Sequence, residues 1–492
     1  MTTLIRGGLV CDGSGTAPAT GDVLIRGSRI VRVGEIGKVH AHATIDATGA
    51  VVAPGFIDVG GEIDHHLTLF SEPHAAHLLR QGVTTVIGGN GGVSLAPLLD
   101  GSLRAVERWT STEGVHVRGE TVGKFLKWLG ARGLGVNFGT LAGYTTVRRA
   151  LTRDAFRDLT ERELAALGKI LSRACRDGAF GVSVDLSDAH AREIPFHELR
   201  VLAAVAARAR RVLAVNPLRR SDAVEKSIEE MLHAARGEKV NLEVSRLTPL
   251  AEHREAYDRV LTLLDKATTT LNVHFDIYPC ERVPMPLAAL LPEWLQAMER
   301  GEALRYLRTA EGKRRISVYL ERFRTIPFSV AYVPSRPLAS LEGKALADLA
   351  LHGHQPFGRA LLSFMNATDL RAVLMAPLAD PGLLGRYLVH ERALVSAGGL
   401  PRGPLVLPTF LRAARGGIFP LERAVEKLTS LAARKFRITK RGSLKPGYYA
   451  DVVILRDGTP SDVFVNGQAA LREGLPEPIL AGAALRPGIF LW

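Results

Sequence analysis

The middle of the chain repeats one pattern, a short apolar strand followed by a helix, with strands at residues 181–184 (GVSV), 212–215 (VLAV), 240–244 (VNLEV) and 273–277 (VHFDI). The strands begin about 30 residues apart, which is the length of one strand–helix unit. Units of this kind connect in a right-handed sense, and their strands lie parallel and buried in one sheet. This stretch therefore predicts an α/β core.

Two further segments extend the repeat toward both ends of the chain. Residues 83–87 (VTTVI) fit an earlier strand of the same sheet, and residues 393–396 (ALVS) fit a last one. This number of units favours a closed (β/α)8 barrel of the TIM type over an open sheet. The chain has no glycine-rich dinucleotide fingerprint after a strand and no phosphate-binding loop, which argues against the nucleotide-binding α/β folds.

The two ends of the chain are alike and differ from the middle. Both contain short apolar strands separated by turn residues, as at Asp12-Gly13 near the N-terminus. We therefore predict a small composite β-sandwich domain built from both termini. The predicted boundaries are 1–54 plus 437–492 for this β-domain and 55–436 for the barrel with its insertions.

The composition is that of a globular protein. Of the 492 residues, 46% are hydrophobic and 23% are charged, which excludes a disordered chain. We see no apolar run long enough to span a membrane and no signal peptide at the N-terminus. Cys11, Cys175 and Cys280 lie far apart, so we expect neither a disulfide framework nor a Cys-x-x-Cys metal site. These features predict a cytoplasmic protein.

The chain carries a net charge of +13, from 63 Lys and Arg against 50 Asp and Glu. Its densest basic stretch, residues 434–441 (RKFRITKR), lacks the aromatic interleaving of a nucleic-acid interface. We interpret this stretch as a solvated turn between a helix and a strand. Binding to nucleic acid is the disfavoured alternative, and steeply salt-dependent DNA binding would support it.

In a barrel of this type the functional residues lie at the carboxyl ends of the strands and in the loops that follow them. This rule selects candidate positions without any knowledge of relatives. The residues at these positions are 60–62 (GGE), 88–92 (GGNGG), Asp185, Asn216, Arg246, Tyr278 and Ala397.

Motifs along nearly the whole chain carry a family resemblance: 53–59 (APGFIDV), 82–86 (GVTTV), 89–97 (GNGGVSLAP), 276–279 (DIYP), 428–436 (LTSLAARKF) and 442–452 (GSLKPGYYADV). These segments resemble the amidohydrolase superfamily, and most closely its N-acyl-D-amino-acid deacylases (D-aminoacylases). The resemblance implies a metal-dependent barrel with a composite β-sandwich. It also implies hydrolysis of non-peptide carbon–nitrogen bonds.

The chain departs from that family at the metal-binding positions. Gly60 and Glu62 stand where the resemblance implies a His-x-His pair, and Gly91 stands where it implies Cys or another ligand. Asn216 and Arg246 stand where it implies histidines. Ala397 stands where it implies an Asp that is both ligand and general base. The vacated positions are therefore Gly60, Glu62, Gly91, Asn216, Arg246 and Ala397.

These replacements remove the chemistry that zinc needs. Zinc takes three or four ligands from Cys, His, Asp and Glu, and a fixed guanidinium beside it repels it. We therefore expect no metal, no other cofactor and no catalytic residue, so that the chain is a non-catalytic homologue (pseudoenzyme). Because a buried guanidinium needs a charged partner, we expect Arg246 to occupy the vacated metal volume, paired with Glu62.

An alternative interpretation keeps the chain active. Glu62, Asp64, His65 and His66 cluster in one segment, with His74 and His77 close behind, and could form a displaced zinc site. The chain would then still hydrolyse N-acyl amino acids. The competing structural interpretation places Asp64, His65 and His66 on a loop without a metal.

Other reactive residues have structural interpretations. We assign His274 a core or helix-facing role, because it precedes the end of its strand, and we assign no catalytic partner to Cys280. A small acyl-amino-acid-like ligand or a protein partner is compatible with the sequence, as is an oligomer. A membrane partner is not.

Overall fold

The structure is a computed structural model of the chain. It describes residues 1–100, 103–107, 109–187, 194–218, 223–296, 298–398, 400, 403–417 and 419–488.

Strands occupy both ends of the chain and alternate with helices between them. The first five are β1 (Thr2–Val10), β2 (Ala19–Arg26), β3 (Arg29–Gly34), β4 (Ala43–Asp46) and β5 (Val51–Pro54). The middle strands are β6 (Phe56–Asp58), β7 (Val83–Gly88), β8 (Asn137–Thr140), β9 (Ala142–Gly143), β10 (Gly181–Asp185), β11 (Val212–Asn216), β12 (Asn241–Val244), β13 (Val273–Ile277), β14 (Arg282–Pro286), β15 (Ser329–Tyr332), β16 (Val373–Pro377) and β17 (Ala393–Val395). The last are β18 (Val452–Arg456), β19 (Thr459–Val465), β20 (Gln468–Arg472) and β21 (Leu475–Pro476).

The helices lie between β6 and β18. They are α1 (Thr68–Ser71), α2 (Ala76–Leu79), α3 (Val122–Arg132), α4 (Tyr144–Thr152), α5 (Glu161–Asp177), α6 (Phe196–Arg208), α7 (Ala223–Glu238), α8 (Arg254–Thr268), α9 (Glu293–Gln296), α10 (Arg300–Arg308), α11 (Ala310–Leu320), α12 (Leu346–Gly353), α13 (Phe357–Ala367), α14 (Pro381–Val389), α15 (Val406–Arg415), α16 (Leu421–Leu428) and α17 (Ser430–Phe436). Within the described ranges, none of the helices combines the length and the apolar character that a membrane crossing requires.

The parallel strands form the predicted (β/α)8 barrel. Hydrogen bonding gives the order β6-β7-β8 in one part of the wall and β9-β10-β11-β12-β13-β17 in the other. Among the described residues this makes eight barrel strands, because β8 and β9 act as one strand that is interrupted at Leu141. The first and last barrel strands, β6 and β17, are linked by side chains, because Ser396 Oγ donates a hydrogen bond to Asp58 Oδ1 at 2.8 Å.

Local sequence signals position the barrel helices. Helix α5 begins with a capping box, in which Thr160 accepts from the backbone N–H of Glu163 and the Glu163 carboxylate accepts from the backbone N–H of Thr160. It ends at Gly178, whose φ of 118° suits a residue without a side chain. The next strand, β10, follows at once, as the repeat predicts.

Helix α17 closes the amino end of the barrel. Ala433 and Phe436 pack against Val212, Leu394 and other apolar side chains of the barrel interior. Lys435 Nζ donates to the carbonyl oxygens of Leu242, at 2.5 Å, and Asn272, at 2.9 Å. One end of the barrel is therefore filled, and the carboxyl ends of the strands form the other.

An insertion separates β13 from β17. Its antiparallel sheet has the order β14-β16-β15, and α10, α11 and α13 supply most of the helical packing around it. The apolar residues of this region form a core of their own, which includes Leu307, Leu320 and Leu374. The insertion adds a small α/β layer outside the barrel.

Strands from both termini form one mixed sheet in the order β21-β20-β19-β18-β5-β1-β2-β3, with β4 paired to β1. The centre of this sheet joins the two ends of the chain, because β5 pairs antiparallel with β18. The composite β-domain is thus confirmed, whereas its exact boundaries stay a prediction. Residues 489–492 of the predicted range lie outside the described residues.

The junction between the β-domain and the barrel contains a buried carboxylate, Asp451. It forms an ion pair with Arg441, and both side chains are 3% exposed. Asp451 also accepts hydrogen bonds from Asn137 Nδ2 in the barrel, at 3.2 Å, and from the backbone N–H of Asn466, at 2.8 Å. One side chain therefore connects the barrel residue Asn137 with two positions of the C-terminal region.

The segment after β21 lies along the barrel and does not continue the β-sheet. Phe138 of β8 donates its backbone N–H to Ala483 O, at 2.9 Å, and accepts from the N–H of Leu485, at 2.7 Å. These bonds cover backbone groups of β8 that would otherwise need water.

Candidate functional site at the carboxyl ends of the barrel strands

The positions predicted as a vacated metal site lie together at the open end of the barrel. Asn216 ends β11, and Arg246 and Ala397 follow β12 and β17. Gly60 and Glu62 follow β6, and Gly91 follows β7. All of these positions except Arg246 are buried.

Arg246 and Glu62 form an ion pair, as the sequence analysis expects. The exposed fractions of the two side chains are 26% and 12%. Burial raises the pKa of the Glu62 carboxyl, but Arg246, His65 and His66 outweigh burial and hold this pKa well below its usual range. Glu62 is therefore ionised at neutral pH and charge-compensated by the guanidinium.

Two more carboxylates stabilise the charge of Arg246. Burial lowers the pKa of its guanidinium, but Glu62, Asp185 and Asp276 outweigh burial, and the net shift of this pKa is upward. The φ of Arg246 is 56°, so the chain turns sharply after β12. Arg246 is thus a permanent cation within a group of acidic side chains.

The space beside Gly60 is occupied by other side chains. A Cβ at this position would lie 2.5 Å from Ser396 Oγ, which is closer than a Cβ can pack, and 3.0 Å from Asp276 Oδ1, which is a tight contact. Ser396 is held there by its hydrogen bond to Asp58, whose pKa is raised to about 6 by burial. A histidine at position 60 does not fit this arrangement.

Gly91 faces the site but its backbone favours glycine. Its φ is 63°, in the left-handed region. A Cβ there would lie 3.4 Å from Asn216 Nδ2, 3.8 Å from Asp185 Oδ2 and 3.9 Å from His65 Cε1. Asn216 Nδ2 donates to Asp185 Oδ2 at 3.0 Å. The Asn216 amide group is therefore oriented by Asp185.

The residues of the alternative zinc site are buried, and Asp64 and His65 are engaged, as is Glu62 in its pair with Arg246. Asp64 accepts hydrogen bonds from the N–H of Gly89, at 2.6 Å, and from that of His65, at 3.2 Å. His65 Nε2 lies 3.1 Å from Val93 O, and its ring stacks on Trp109 at a centroid distance of 4.6 Å. Among the described residues, no group of three or more His, Cys, Asp and Glu side chains is arranged to hold a metal ion.

His66 lies on the other side of Glu62. Its Nε2 is 3.8 Å from Glu62 Oε2, and its ring contacts Tyr332 edge-on. Burial lowers the pKa of His66 to about 4, so its ring is neutral at pH 7. Among the described residues, neither ring nitrogen has a hydrogen-bond partner.

The remaining histidines of this segment point elsewhere. His74 Nδ1 lies 3.2 Å from Ile479 O in the C-terminal segment, and His77 lies 3.9 Å from Glu72. Neither contributes to the site.

Sequence reasoning identified only part of the polar set around the site. Asp185 is among the strand-end candidates, whereas Asp58, Asp276 and Ser396 also stand at strand ends and are not among them. The available signal was that these residues alternate with apolar residues along their strands, since every second residue of a strand lies on the same face.

A second polar group lies deeper in the barrel, below the site. Glu243 is fully buried, and burial raises its pKa well above the usual range. Burial lowers the pKa of Lys435 to about 7. His274, paired in register with Glu243, is 5% exposed and thus lies in the core as predicted. Burial, and then Lys435, Arg392, Arg434 and Lys427, lower the pKa of His274 to about 2.

This environment predicts a pH effect on stability. A free histidine in the unfolded chain binds a proton near pH 6.5, whereas folded His274 stays neutral down to pH 2, so acidification favours unfolding. Between about pH 6.5 and 4.5, neutral His274 should cost the natural chain about 2–3 kcal/mol of unfolding free energy. We expect His274→Gln to be spared this loss. Denaturant unfolding at both pH values measures this difference.

The control for this prediction is His116→Gln, which changes an exposed histidine. It should leave the pH dependence of the unfolding free energy unchanged. An identical pH dependence in His274→Gln and in the natural chain would contradict the assignment of His274 as a buried neutral base.

The geometry does not fit a zinc ion in the natural chain. Gly60, Gly91 and Ala397 have no donor atoms, and the space beside Gly60 is filled. Arg246 brings a positive charge to the centre of the site. A dication beside a fixed guanidinium is repelled, and zinc requires at least three converging ligands.

Comparisons with known proteins show that the chain is similar to curated deacylases. It is 27% identical over 469 residues to D-aminoacylase of Alcaligenes xylosoxydans xylosoxydans, covering 93% of this chain and 89% of that protein. It is 29% identical over 483 residues to the N-acyl-D-glutamate deacylase of the same organism, covering 94% and 88%. No family model matches the chain.

Solved structures similar to this chain include proteins of the same kinds as these relatives. The N-acyl-D-glutamate deacylase from Bordetella bronchiseptica, complexed with zinc and a phosphonate inhibitor, has a TM-score of 0.80 and 28% identity, covering 98% of this chain and 99% of that one. A D-aminoacylase structure, described as defining a novel subset of amidohydrolases, has a TM-score of 0.79 at 25% identity, covering 98% and 99%. The L-hydantoinase from Arthrobacter aurescens, with a TM-score of 0.58 at 14% identity and coverage of 98% and 99%, shows the shared fold.

Proposed function

The homologues and structural neighbours of this chain are D-aminoacylases and N-acyl-D-amino-acid deacylases of the amidohydrolase superfamily, and on this premise we propose that the chain is a non-catalytic homologue of those enzymes. It keeps their fold and does not hydrolyse amides with a bound metal. Its role is that of a binding or structural protein.

The observation that carries this proposal is the ion pair between Arg246 and Glu62. Metal-assisted hydrolysis needs a Lewis acid that lowers the pKa of bound water toward neutrality and a carboxylate that moves the proton. Arg246 has neither property, because a guanidinium stays protonated and has no open coordination position. Glu62 is engaged by Arg246 and has no free role as a base.

Metal analysis of the purified protein tests the proposal. We expect zinc well below one equivalent per chain, and no turnover of N-acyl derivatives of D-glutamate, D-aspartate and neutral D-amino acids. D-aminoacylase purified by the same procedure serves as the positive control for both measurements. About one equivalent of zinc together with amidase activity would overturn the proposal.

One observation favours the alternative of a rearranged zinc site. Glu62 Oε1 lies 3.8 Å from His65 Nδ1, and Glu62 Oε2 lies 3.8 Å from His66 Nε2. If this group held zinc, Glu62→Ala and His65→Ala would lose metal and activity together. We expect the metal content to be equally low in both variants and in the natural chain.

Ligand binding distinguishes a binding role from a structural one. A thermal-shift assay with N-acyl-D- and N-acyl-L-amino acids reports binding to the folded state as a rise in Tm. A rise specific to one series would assign an acyl-amino-acid-like ligand to the chain. No rise with any of these compounds would leave a structural role with a protein partner.

A further inference from the structure

The insertion outside the barrel concentrates positive charge on one helix. Residues 311–324, which include most of α11, contain five basic residues and two acidic ones, Glu311 and Glu321. All five basic residues are exposed. Glu321 is engaged elsewhere, because its Oε1 accepts a hydrogen bond from the backbone N–H of Gly358 at 2.8 Å. This segment therefore presents an excess of positive charge to solvent.

Helical spacing collects part of this charge around one apolar side chain. Arg314 and Arg315 lie about one turn before Val318, and Arg322 lies four residues after it, in the turn that continues the helix. Val318 is 72% exposed, whereas Leu320 belongs to the buried core of the insertion. We call the exposed set the α11 face: Arg314, Arg315, Val318 and Arg322.

Aromatic rings border the α11 face, and arginines lie over them. The guanidinium carbon of Arg315 lies 5.6 Å from the centroid of the Trp294 ring, and Trp294 is 39% exposed. The guanidinium carbon of Arg322 lies 5.0 Å from the centroid of Tyr319 and 5.7 Å from that of Phe323. Such cation–π contacts orient a guanidinium group. They leave its charge in place, because the rings carry no net charge.

Carboxylates neutralise the α11 face only weakly. Arg315 Nη1 lies 3.9 Å from Glu311 Oε1, and both side chains are 63% exposed. A pair this long and this exposed contributes little, because water screens it. Among the described residues, neither Arg314 nor Arg322 has a carboxylate oxygen within 4.0 Å. The face therefore has both charge and apolar surface available for a partner.

We propose that the α11 face is a docking surface for an acidic protein segment that presents an apolar side chain flanked by carboxylates. The excess of arginines sets the sign of the partner's charge, and the exposed Val318 sets its apolar centre. Arginine and tryptophan are also the residue types that most often dominate the energy of protein interfaces. Trp294 beside Arg315 fits this pattern.

Nucleic acid fits the α11 face less well. Proteins that bind single strands stack the bases on open aromatic rings, whereas Arg315 lies over Trp294 and Arg322 lies over Tyr319. An exposed valine at the centre also has no partner on a phosphate backbone. The inference goes beyond the proposed function, since it concerns the insertion and not the open end of the barrel.

Binding of labelled probes to the full chain, followed by fluorescence anisotropy, tests the inference. The probes are a short peptide of Glu and Leu with its leucines at helical spacing, poly-L-glutamate of equal charge, and oligothymidylate of equal charge. We expect the Glu–Leu peptide to bind most tightly and to bind more weakly as the salt concentration rises. Absence of peptide binding, or tighter binding of oligothymidylate, would overturn the inference.

Charge reversal assigns the binding to the α11 face. Arg314→Glu combined with Arg322→Glu should weaken binding of the Glu–Leu peptide about tenfold or more, because like charges then oppose each other. The matched control, Arg162→Glu with Lys169→Glu, reverses two exposed charges on α5 and should leave the affinity unchanged. An equal loss in both double variants would show an effect of net charge alone and would contradict the inference. Arg314→Gln, which keeps the ring contacts of Arg322, should weaken binding in the same direction.

Val318→Ser separates docking from attraction between charges. It should weaken binding of the Glu–Leu peptide about fivefold and leave binding of poly-L-glutamate unchanged. An equal affinity of Val318→Ser and the natural chain for the peptide would count against the inference. Sedimentation of the chain alone gives the last outcome, since a dimer that Val318→Ser dissociates would assign the face to a second copy. The zinc content of the chain tests only the proposed function, so the two proposals fail separately.

Discussion

Arg246→Met is expected to lower the free energy of unfolding by about 3–5 kcal/mol, because it leaves the Glu62 carboxylate buried without its cation. Methionine has a similar length, so the loss of charge dominates the change. Denaturant unfolding at pH 7 measures the effect. Adding Glu62→Leu should restore most of the lost stability, because the pair of variants replaces both charges by apolar groups.

The loss of unfolding free energy in Arg246→Met should depend on pH, and the direction of this dependence tests whether the unpaired Glu62 carboxylate causes the loss. In the natural chain the pKa of Glu62 is depressed, so the stabilisation is present at neutral pH and is lost as pH falls through and below the ordinary range of a carboxyl group. In the variant, burial without Arg246 raises this pKa, and protonation then favours the folded state. The stability difference between the two proteins should therefore narrow as pH falls from neutral toward 4.5.

A matched control uses the exposed pair of Arg254 and Asp380. Its nitrogen–oxygen distance is 2.6 Å, but the Arg254 side chain is 59% exposed. Arg254→Met should cost less than about 1 kcal/mol, because water screens the pair. Equal costs for the two arginine variants would show that Arg246 is not held by a buried charge interaction.

Asp451→Ala is the second substitution with a large expected effect, again about 3–5 kcal/mol of unfolding free energy. It leaves the buried guanidinium of Arg441 without its partner, and it removes acceptors for Asn137 Nδ2 and for the N–H of Asn466. Because Asn137 belongs to the barrel and Asn466 to the β-domain, the loss affects the junction between them. Thermal unfolding followed by tryptophan fluorescence and by circular dichroism measures the change.

Asp258→Ala is the comparison for Asp451→Ala. Asp258 pairs with Arg386 on the surface, and both side chains are more than half exposed. It should change the unfolding free energy by less than about 1 kcal/mol. If Asp451→Ala were as mild as this control, the ion pair at the junction would contribute little to stability.

The sequence was sufficient to predict the barrel because its signals are local and repeated. Each strand is a short apolar run followed by a helix, and this alternation has few architectural solutions. The pair of Arg246 and Glu62 was predictable for a different reason, since a guanidinium that enters a barrel needs a counter-charge.

Other features depended on contacts between distant residues. Ser396 lies beside Gly60 and so brings the first and last barrel strands into contact. No sequence pattern in either segment reveals this contact. The antiparallel sheet of the insertion was missed for a local reason. Strand β14 contains Pro284 and ends at Pro286, and proline argues against a strand because it lacks a backbone donor.

The composite sheet has a consequence for biosynthesis. Strand β5 leaves the ribosome long before its partner β18, because the whole barrel lies between them in the chain. During translation the edge of β5 is therefore exposed, and an exposed edge can pair with another nascent chain. Aggregation during expression should accordingly arise from this edge, and chaperones that bind extended segments should raise the yield of folded protein.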